Sequence, residues 1–308
     1  MAGVVGLTPV ALYAKAASTP SQATPSTPAA KRTTRRVPSA RENTTMTAVS
    51  QGLVDLANHH RQPAAPGIEV VRTARFQVTL QPDLPIPGPN SVSYIRCRAD
   101  KADEVIDEAR SIVARHPVAV LWALDPETEP PNFAEFLAAR GIDYDSDVKV
   151  MVLPIGARIE APRVAGLEMC DALADDESFS AADAVNREAF KSTAPADPAA
   201  SSRRRLNQLA AGNRRLLLAT VNGEPAGSAG LSLFPPGGAI INGGGVRPKF
   251  RGFGVYRAMV AARLAMAREA GVEGLIVWGG HMSAPILGRL GFEVVGWRKF
   301  YLDTSAVG

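Results

Sequence analysis

Residues 239–270 read AIINGGGVRPKFRGFGVYRAMVAARLAMAREA, the pattern of a strand, a glycine turn and a helix. The apolar run Ala239–Val246 ends in a short basic loop holding Gly252 and Gly254. From Val255 a helical pattern continues with no Pro and no Gly until Gly271. The first N–H groups of such a helix have no internal acceptor, and its dipole favours an anion there. Glycine lets the backbone approach a phosphate because no Cβ intervenes. With Arg251 and Arg257 backing the first turn, the stretch is suited to hold a diphosphate by its backbone.

Outward from that stretch the chain alternates strands and helices. On the C-terminal side come strand Val272–Trp278, loop Gly279–Met282, helix Ser283–Leu290 capped by Gly291, and strands Phe292–Val295 and Arg298–Asp303. On the N-terminal side, Leu167–Leu173 reads as a strand and Asp175 or Asp176 caps a helix to Phe190. After the loop Lys191–Ser201 and the basic helix Ser202–Ala211, a hairpin runs from Arg214 to Phe234. Its turn is Asn222-Gly223, which supplies the positive φ of a type I′ turn. Gly67–Ile155 is a second α/β run. Its strands are Glu69–Val71, Phe76–Leu80, Val92–Arg98, Val118–Leu124 and Asp147–Ile155. Its helices run from an Asp100 cap to Arg115 and from Pro130 to Arg140. The expected fold class is α/β, a mixed α+β sheet with flanking helices.

The two runs repeat a phrase. Helix, strand ending in Trp122, a Pro-containing helix and Leu137-Ala138-Ala139-Arg140-Gly141-Ile142 are echoed in the second run. There a strand ends in Trp278, a helix contains Pro285, and Leu287-Gly288-Arg289-Leu290-Gly291-Phe292 follows. The echo favours a duplication over chance. Ahead of Asp103, however, there is neither a glycine loop nor Arg-x-x-Gly, so the first copy lacks the anion site.

Charge is concentrated at one end. The net charge is +4, but residues 1–45 hold six bases and Glu42 alone, while residues 46–308 hold 28 bases against 29 acids. A neutral body gives nucleic acid little to bind, and no apolar run reaches the ~18–20 residues that span a bilayer. Met46 opens MTAVSQGLVDLA in the manner of a start, so the favoured reading makes the first 45 residues a dispensable tail. An organellar transit peptide, Ser- and Arg-rich and poor in acids, is the alternative; a secretory signal fits worse. Cys97 and Cys170 have no metal-ligand spacing and read as buried thiols of a reducing, cytoplasmic compartment.

Three phosphate loops can be separated. A P-loop needs Gly-Lys-Ser/Thr, and Gly254 is followed by Val255 and Tyr256. A dinucleotide fingerprint wants a third Gly where Arg257 stands and an acid at the end of the next strand, which reads Trp278-Gly279-Gly280. The third fits. Arg251-Gly252-Phe253-Gly254-Val255-Tyr256, preceded by Gly245-Val246-Arg247-Pro248, resembles the acetyl-CoA signature of the GCN5-related N-acetyltransferase (GNAT) superfamily. Tyr256 departs from the small residue usual at that place. Ser283–Glu293 resembles the family's closing helix and Leu-Gly-Phe-Glu turn, and Asn186-Arg187-Glu188-Ala189-Phe190 its first helix. The resemblance covers about Leu167–Asp303 and is faint over residues 67–155.

The resemblance implies a GNAT-like fold in which a degenerate N-terminal lobe precedes a complete C-terminal one. Residues 1–60 are then a disordered or dispensable extension, 61–160 the degenerate lobe and 161–308 the acetyl-CoA-binding domain. It implies that Gly244, Gly245 and Val246 pair with pantetheine amides. Backbone groups of Gly252, Phe253, Gly254, Val255, Tyr256 and Arg257 would hold the diphosphate, with Arg251 shaping the loop. It implies acetyl transfer from acetyl-CoA to an amine by direct attack. The acceptor is expected to be a small molecule, since no acidic stripe for a Lys-rich tail stands out, and neither nucleic acid nor membrane is expected as a partner. Where the family often has an acidic Tyr on the last helix, this chain has Leu287. His281 and Glu188 are the candidates for base or acid, each equally readable as a surface residue. Tyr94 and Trp122 read as core, and Arg203-Arg204-Arg205 as a solvated helix face. The alternative function is a non-catalytic acyl-CoA-sensing or interaction module.

Overall fold

Alternating residues give this chain strands with two distinct faces, and their pairing joins eleven strands into one sheet. The computed structural model describes residues 48–192 and 196–307. The tail 1–45 lies outside the described residues. Residues 51–60 correct the expectation of a disordered extension. Gln51–His59 is helix α1, capped by Ser50, whose hydroxyl accepts from Leu53 N–H at 3.1 Å.

The first lobe holds β1 (Glu69–Arg72), β2 (Gln77–Leu80), β3 (Ser91–Ser93), α2 (Ala102–Val113), β4 (Val120–Leu124), α3 (Phe133–Ala139) and β5 (Asp143–Pro154). The second holds β6 (Leu167–Asp171), α4 (Asp176–Ala189), α5 (Pro198–Ala211), β7 (Arg214–Val221), β8 (Glu224–Phe234) and β9 (Gly238–Val246). It ends with α6 (Val255–Glu269), β10 (Gly274–Gly279), α7 (Ser283–Arg289) and β11 (Glu293–Asp303). The sheet order is β1-β2-β3-β4-β11-β5-β10-β9-β8-β7-β6. Each lobe's last strand has crossed over. β5 pairs with β10 from Gly274↔Pro154 to Gly279↔Lys149, and β11 pairs with β4 from Lys299↔Leu124 to Asp303↔Val120. The two exchanged strands pair with each other at the centre.

The echo in the sequence recurs in hydrogen bonds. Ile142 N–H donates to Leu137 O at 3.0 Å and Phe292 N–H to Leu287 O at 3.1 Å, around Gly141 (φ 70°) and Gly291 (φ 93°). That is the same left-handed helix stop in both lobes.

Parity assigns the faces. Val78, Val92 and Trp122 pack under α2 and α3; Met151, Leu231, Ile241, Leu275 and Val277 pack under α6 and α7 on the same face. The opposite face carries α4 and α5 at one end, and at the centre α1, whose Leu53 and Ala57 bury against Val150, Val152 and Ile276. The linker between the lobes runs back along α6. Arg268 Nε donates to Ile155 O at 3.0 Å, and Pro162 lies against Gly254.

Several local expectations shift. The strand expected over Val92–Arg98 stops at Ser93, because Tyr94 takes a left-handed φ of 57°. Asp100 sits inside a short 3-10 turn, ion-paired with Arg98, and caps nothing. The two terminal strands are one, kinked by a bulge between Val294 and Gly296. Cys170 is exposed and Cys97 half-buried, not the buried pair expected. Asp175 does cap α4, accepting from Ser178 N–H at 2.7 Å. No helix of the described residues is long and apolar enough to cross a membrane.

Candidate active site

Strands β9 and β10 are parallel neighbours, yet they pair only at Ala239↔Leu275 and Ile240↔Ile276. Beyond those residues they part. β9 also bulges against β8 between Ser228 and Gly230, with Gly243 at a φ of 55°. The corresponding place in the first lobe is shut: Glu129 N–H donates to Ile95 O and Cys97 N–H to Glu129 O, both at 3.1 Å. At the end of β9, Gly252 (φ 84°) and Gly254 (φ 92°) turn the chain into α6, and Gly254 is the helix N-cap. The N–H groups of the first turn of α6 have no acceptor within the helix. Arg251 is exposed, yet its guanidinium is engaged with the backbone. It donates to Val246 O at 3.1 Å and to Ala189 O at 3.0 Å, tying the loop to β9 and α4.

A cavity of about 730 Å³ lies between the lobes. Its lining mixes residues of both sheet faces, with Ile240 and Trp278 from one and Ile241, Val277 and Tyr256 from the other, so it passes through the gap between β9 and β10. It reaches Gly243 and Gly244. A Cβ on Gly244 would come 3.1 Å from the Tyr256 ring and 3.5 Å from Arg263 Nη2, so both side chains lie directly beneath the bulged strand.

The chamber is cationic, its lining holding seven arginines and four aspartates. Three of the aspartates are neutralised: Asp83 by Arg203 at 2.6 Å, Asp125 by Arg96 at 3.2 Å and Asp183 by Arg204 at 2.9 Å. The fourth, Asp197, caps α5 by accepting from Ala200 N–H. Arg214, Arg263 and Arg298 face the chamber with no carboxylate ion-paired to them among the described residues, and bond instead to Ser232 Oγ, Gly230 O and Asn58 O. Burial lowers the pKa of all three, that of Arg263 to about 10 despite the neighbouring Tyr256 hydroxyl. Burial raises that of Tyr256. Burial, then Arg214 and Arg72, lowers His60 to about 4, so it stands neutral at pH 7.

Five buried side-chain atoms among the described residues lack a hydrogen-bond partner in the protein: His60 Nε2, Asn186 Oδ1, Arg204 Nε, Arg263 Nη2 and Trp278 Nε1. All five residues line this one chamber. Buried polar groups are ordinarily paired, so this cluster of orphans marks where water or a polar ligand supplies the partners.

Of the residues singled out from sequence, Gly244 and Tyr256 border the chamber; Gly252 and Phe253 are exposed on the loop beside it. Gly245 sits under α4, where a Cβ would come 2.9 Å from that of Ala189. Glu188 is exposed, its carboxylate held by Arg247 at 2.5 Å, and does not border the chamber. His281 is exposed on the loop before α7 and does not border it either. Trp122 is core as expected, whereas Tyr94 lines the chamber and donates to His60 O. Arg203, Arg204 and Arg205 are each ion-paired, not a free solvated face. His60, Arg214, Arg263 and Arg298 were not singled out from sequence.

Residues 182–292 match the model of the acetyltransferase (GNAT) family. No curated protein sequence matches the chain. Among solved structures, a GCN5-related N-acetyltransferase from Kribbella flavida is 19% identical, over 77% of this chain and 90% of that one, with a TM-score of 0.54. A functionally unknown conserved protein from Staphylococcus epidermidis is 15% identical over 78% and 95%, with a TM-score of 0.58. A tandem GNAT protein from the clavulanic acid biosynthesis pathway is 17% identical over 84% and 90%, with a TM-score of 0.51. At these identities the likeness is one of fold.

Proposed function

From a chain whose residues 182–292 belong to the GNAT family of acetyltransferases, we propose an acetyl-CoA-dependent N-acetyltransferase acting on a small amine, with one working site at the β9–β10 gap. The observation that carries the reading is the chamber that passes through that gap beside the glycine loop. Acetyl-CoA supplies an acetyl group activated as a thioester. In this reading the N–H groups of Gly252, Phe253, Gly254, Val255, Tyr256 and Arg257 hold the diphosphate, and Arg251 fixes the loop through its two carbonyl contacts. The free edge of β9 at Gly244, Gly245 and Val246 pairs with the pantetheine amides.

The chamber's own residues then set the protonation. An amine attacks only as the free base, and an excess of buried guanidinium charge disfavours the ammonium form. Each lining aspartate is already engaged, so no carboxylate waits as a base. In this reading Tyr256, whose ring lies beneath Gly244 and whose pKa burial raises, would deliver its proton to the departing sulfur. The phenolate so formed would take up the proton that the attacking amine sheds, restoring the hydroxyl. Glu188, held by Arg247, and His281, exposed before α7, take no part in this proton transfer. The free thiols Cys97 and Cys170 agree with a cytoplasmic setting.

Leu287, fully buried where the family often has a tyrosine, favours a second reading, a non-catalytic acyl-CoA sensor. Calorimetry with acetyl-CoA and a thiol-release assay separate the two: binding with release on an amine establishes the enzyme, binding without release on any amine the sensor. The loop is tested at Gly252, where a Cβ meets nothing within 4 Å, whereas at Gly254 it would strike Pro162 at 2.7 Å. Because the φ of 84° strains any side chain, Gly252→Asp is read against Gly252→Ala, which shares the strain and lacks the charge. Gly252→Asp is expected to weaken acetyl-CoA by about 100-fold, or roughly 2.7 kcal/mol. Unchanged affinity would overturn the loop assignment.

A further inference from the structure

We infer that the acceptor carries an anionic group, a carboxylate or phosphate on the same small skeleton as its amine, and that Arg214 is its principal anchor. The inference rests on the acetyltransferase reading and names its substrate class. A buried cation without a counter-charge is costly, and the chamber holds two arginines with no carboxylate beside them, the fully buried Arg263 and the half-buried Arg214, while Arg298 feels Asp125 and Glu127. The cost is offset when the ligand brings the negative charge. The chamber's neutralised aspartates cannot do so, since each is committed elsewhere.

Arg214 is set apart from the other two by its surroundings. It starts β7, pairs in register with Ser232, and donates to the Ser232 hydroxyl. Asn242 Nδ2 donates to the same hydroxyl at 3.1 Å, so a polar row crosses β7, β8 and β9 and ends one residue before the bulge at Gly243. A close Gly makes the row possible: a Cβ on Gly230 would lie 2.1 Å from Asn242 Oδ1. His60, whose Nε2 is among the orphaned atoms, lies near enough to feel the Arg214 charge. An anion seated on Arg214 would thus meet a guanidinium and an uncharged imidazole at the far wall while its amine reaches toward Gly243 and Gly244. The diphosphate loop makes no claim on this group, because residues 251–255 do not line the chamber.

The experiment is acetyl-CoA turnover by the full chain on matched pairs of amines. Phenylalanine is set against phenethylamine, 4-aminobutyrate against propylamine, and phosphoethanolamine against ethanolamine. At least one anionic member is expected to exceed its uncharged counterpart by 10-fold or more in kcat/KM, and the pair that does so tells carboxylate from phosphate. Arg214→Gln is then expected to collapse that preference to below about 3-fold, mainly through KM. Because the readout is a ratio, partial loss of folded protein does not imitate it. Uncharged amines turning over as well as their anionic partners would overturn the inference and leave the acetyltransferase standing. So would a preference that survives Arg214→Gln. Turnover of no amine, with acetyl-CoA bound, would overturn the acetyltransferase reading and this inference together.

Discussion

Arg263 occupies a place in α6 that the periodicity reserves for an apolar side chain, between Met259 and Val260 on one turn and Met266 and Ala267 on the next. It is 1% exposed, and its guanidinium reaches past the helix to Gly230 O, leaving Nη2 for the chamber. Tyr256, two turns earlier, is its hydroxyl partner. The tyrosine that breaks the family pattern is therefore part of the floor, not a surface irregularity. Tyr256→Phe keeps the ring and loses the proton donor. In the proposed reading kcat falls by about 100-fold, the lower range for general acid catalysis, while KM for acetyl-CoA moves less than threefold. A steady-state comparison of the two parameters checks this, and an unchanged kcat would remove Tyr256 from the mechanism. Residue by residue, the glycine loop was legible because Gly252 and Gly254 need a backbone that side chains resist. His60, Arg214 and Arg298 were not, since nothing in a local window says which arginine of a strand will face a chamber built by distant elements. Arg263 left a signal, an arginine inside an apolar stripe.

Among the elements, α1 does the most for its length. Nine residues cover the seam where the exchanged strands meet, and Leu53 is 1% exposed against Val150, Val152 and Ile276. Leu53→Ala removes that contact and is expected to cost 2–5 kcal/mol, the usual range for a buried leucine, read as a fall in the denaturant midpoint. A change below about 0.5 kcal/mol would show that α1 is not packed as described. Sequence reading placed most strands and helices within a few residues, because alternation and caps are local. It lost α1 by carrying the disordered or dispensable extension to residue 60, across QGLVDLANH, whose apolar residues make sense only against a distant sheet. It also divided β11, since Gly296 reads as a break until the partner strand shows it to be a bulge.

At the scale of the whole molecule, the burial of His60 at the chamber ties stability to pH. His60 is neutral in the fold, with a pKa of about 4, and protonates at the ordinary 6.5 when unfolded. The unfolded chain thus binds a proton that the native chain refuses between pH 6.5 and about 4, so stability contributed by this group falls as pH drops through that window and is fully lost below it. The shift caps the effect at roughly 3 kcal/mol. His60→Gln is expected to flatten the decline in melting temperature over that window, and an identical pH profile in the variant would show that His60 is not its cause. The strand exchange has a different consequence. A cut anywhere in residues 156–166 would separate β1–β5 from β6–β11, yet each fragment would carry away a strand that pairs within the other's part of the sheet. In topological terms the lobes are links, not beads. The exchange gives the molecule the topology of a strand-swapped pair written as one polypeptide, and the linker holds the two lobes at fixed stoichiometry while the strands part at the β9–β10 end.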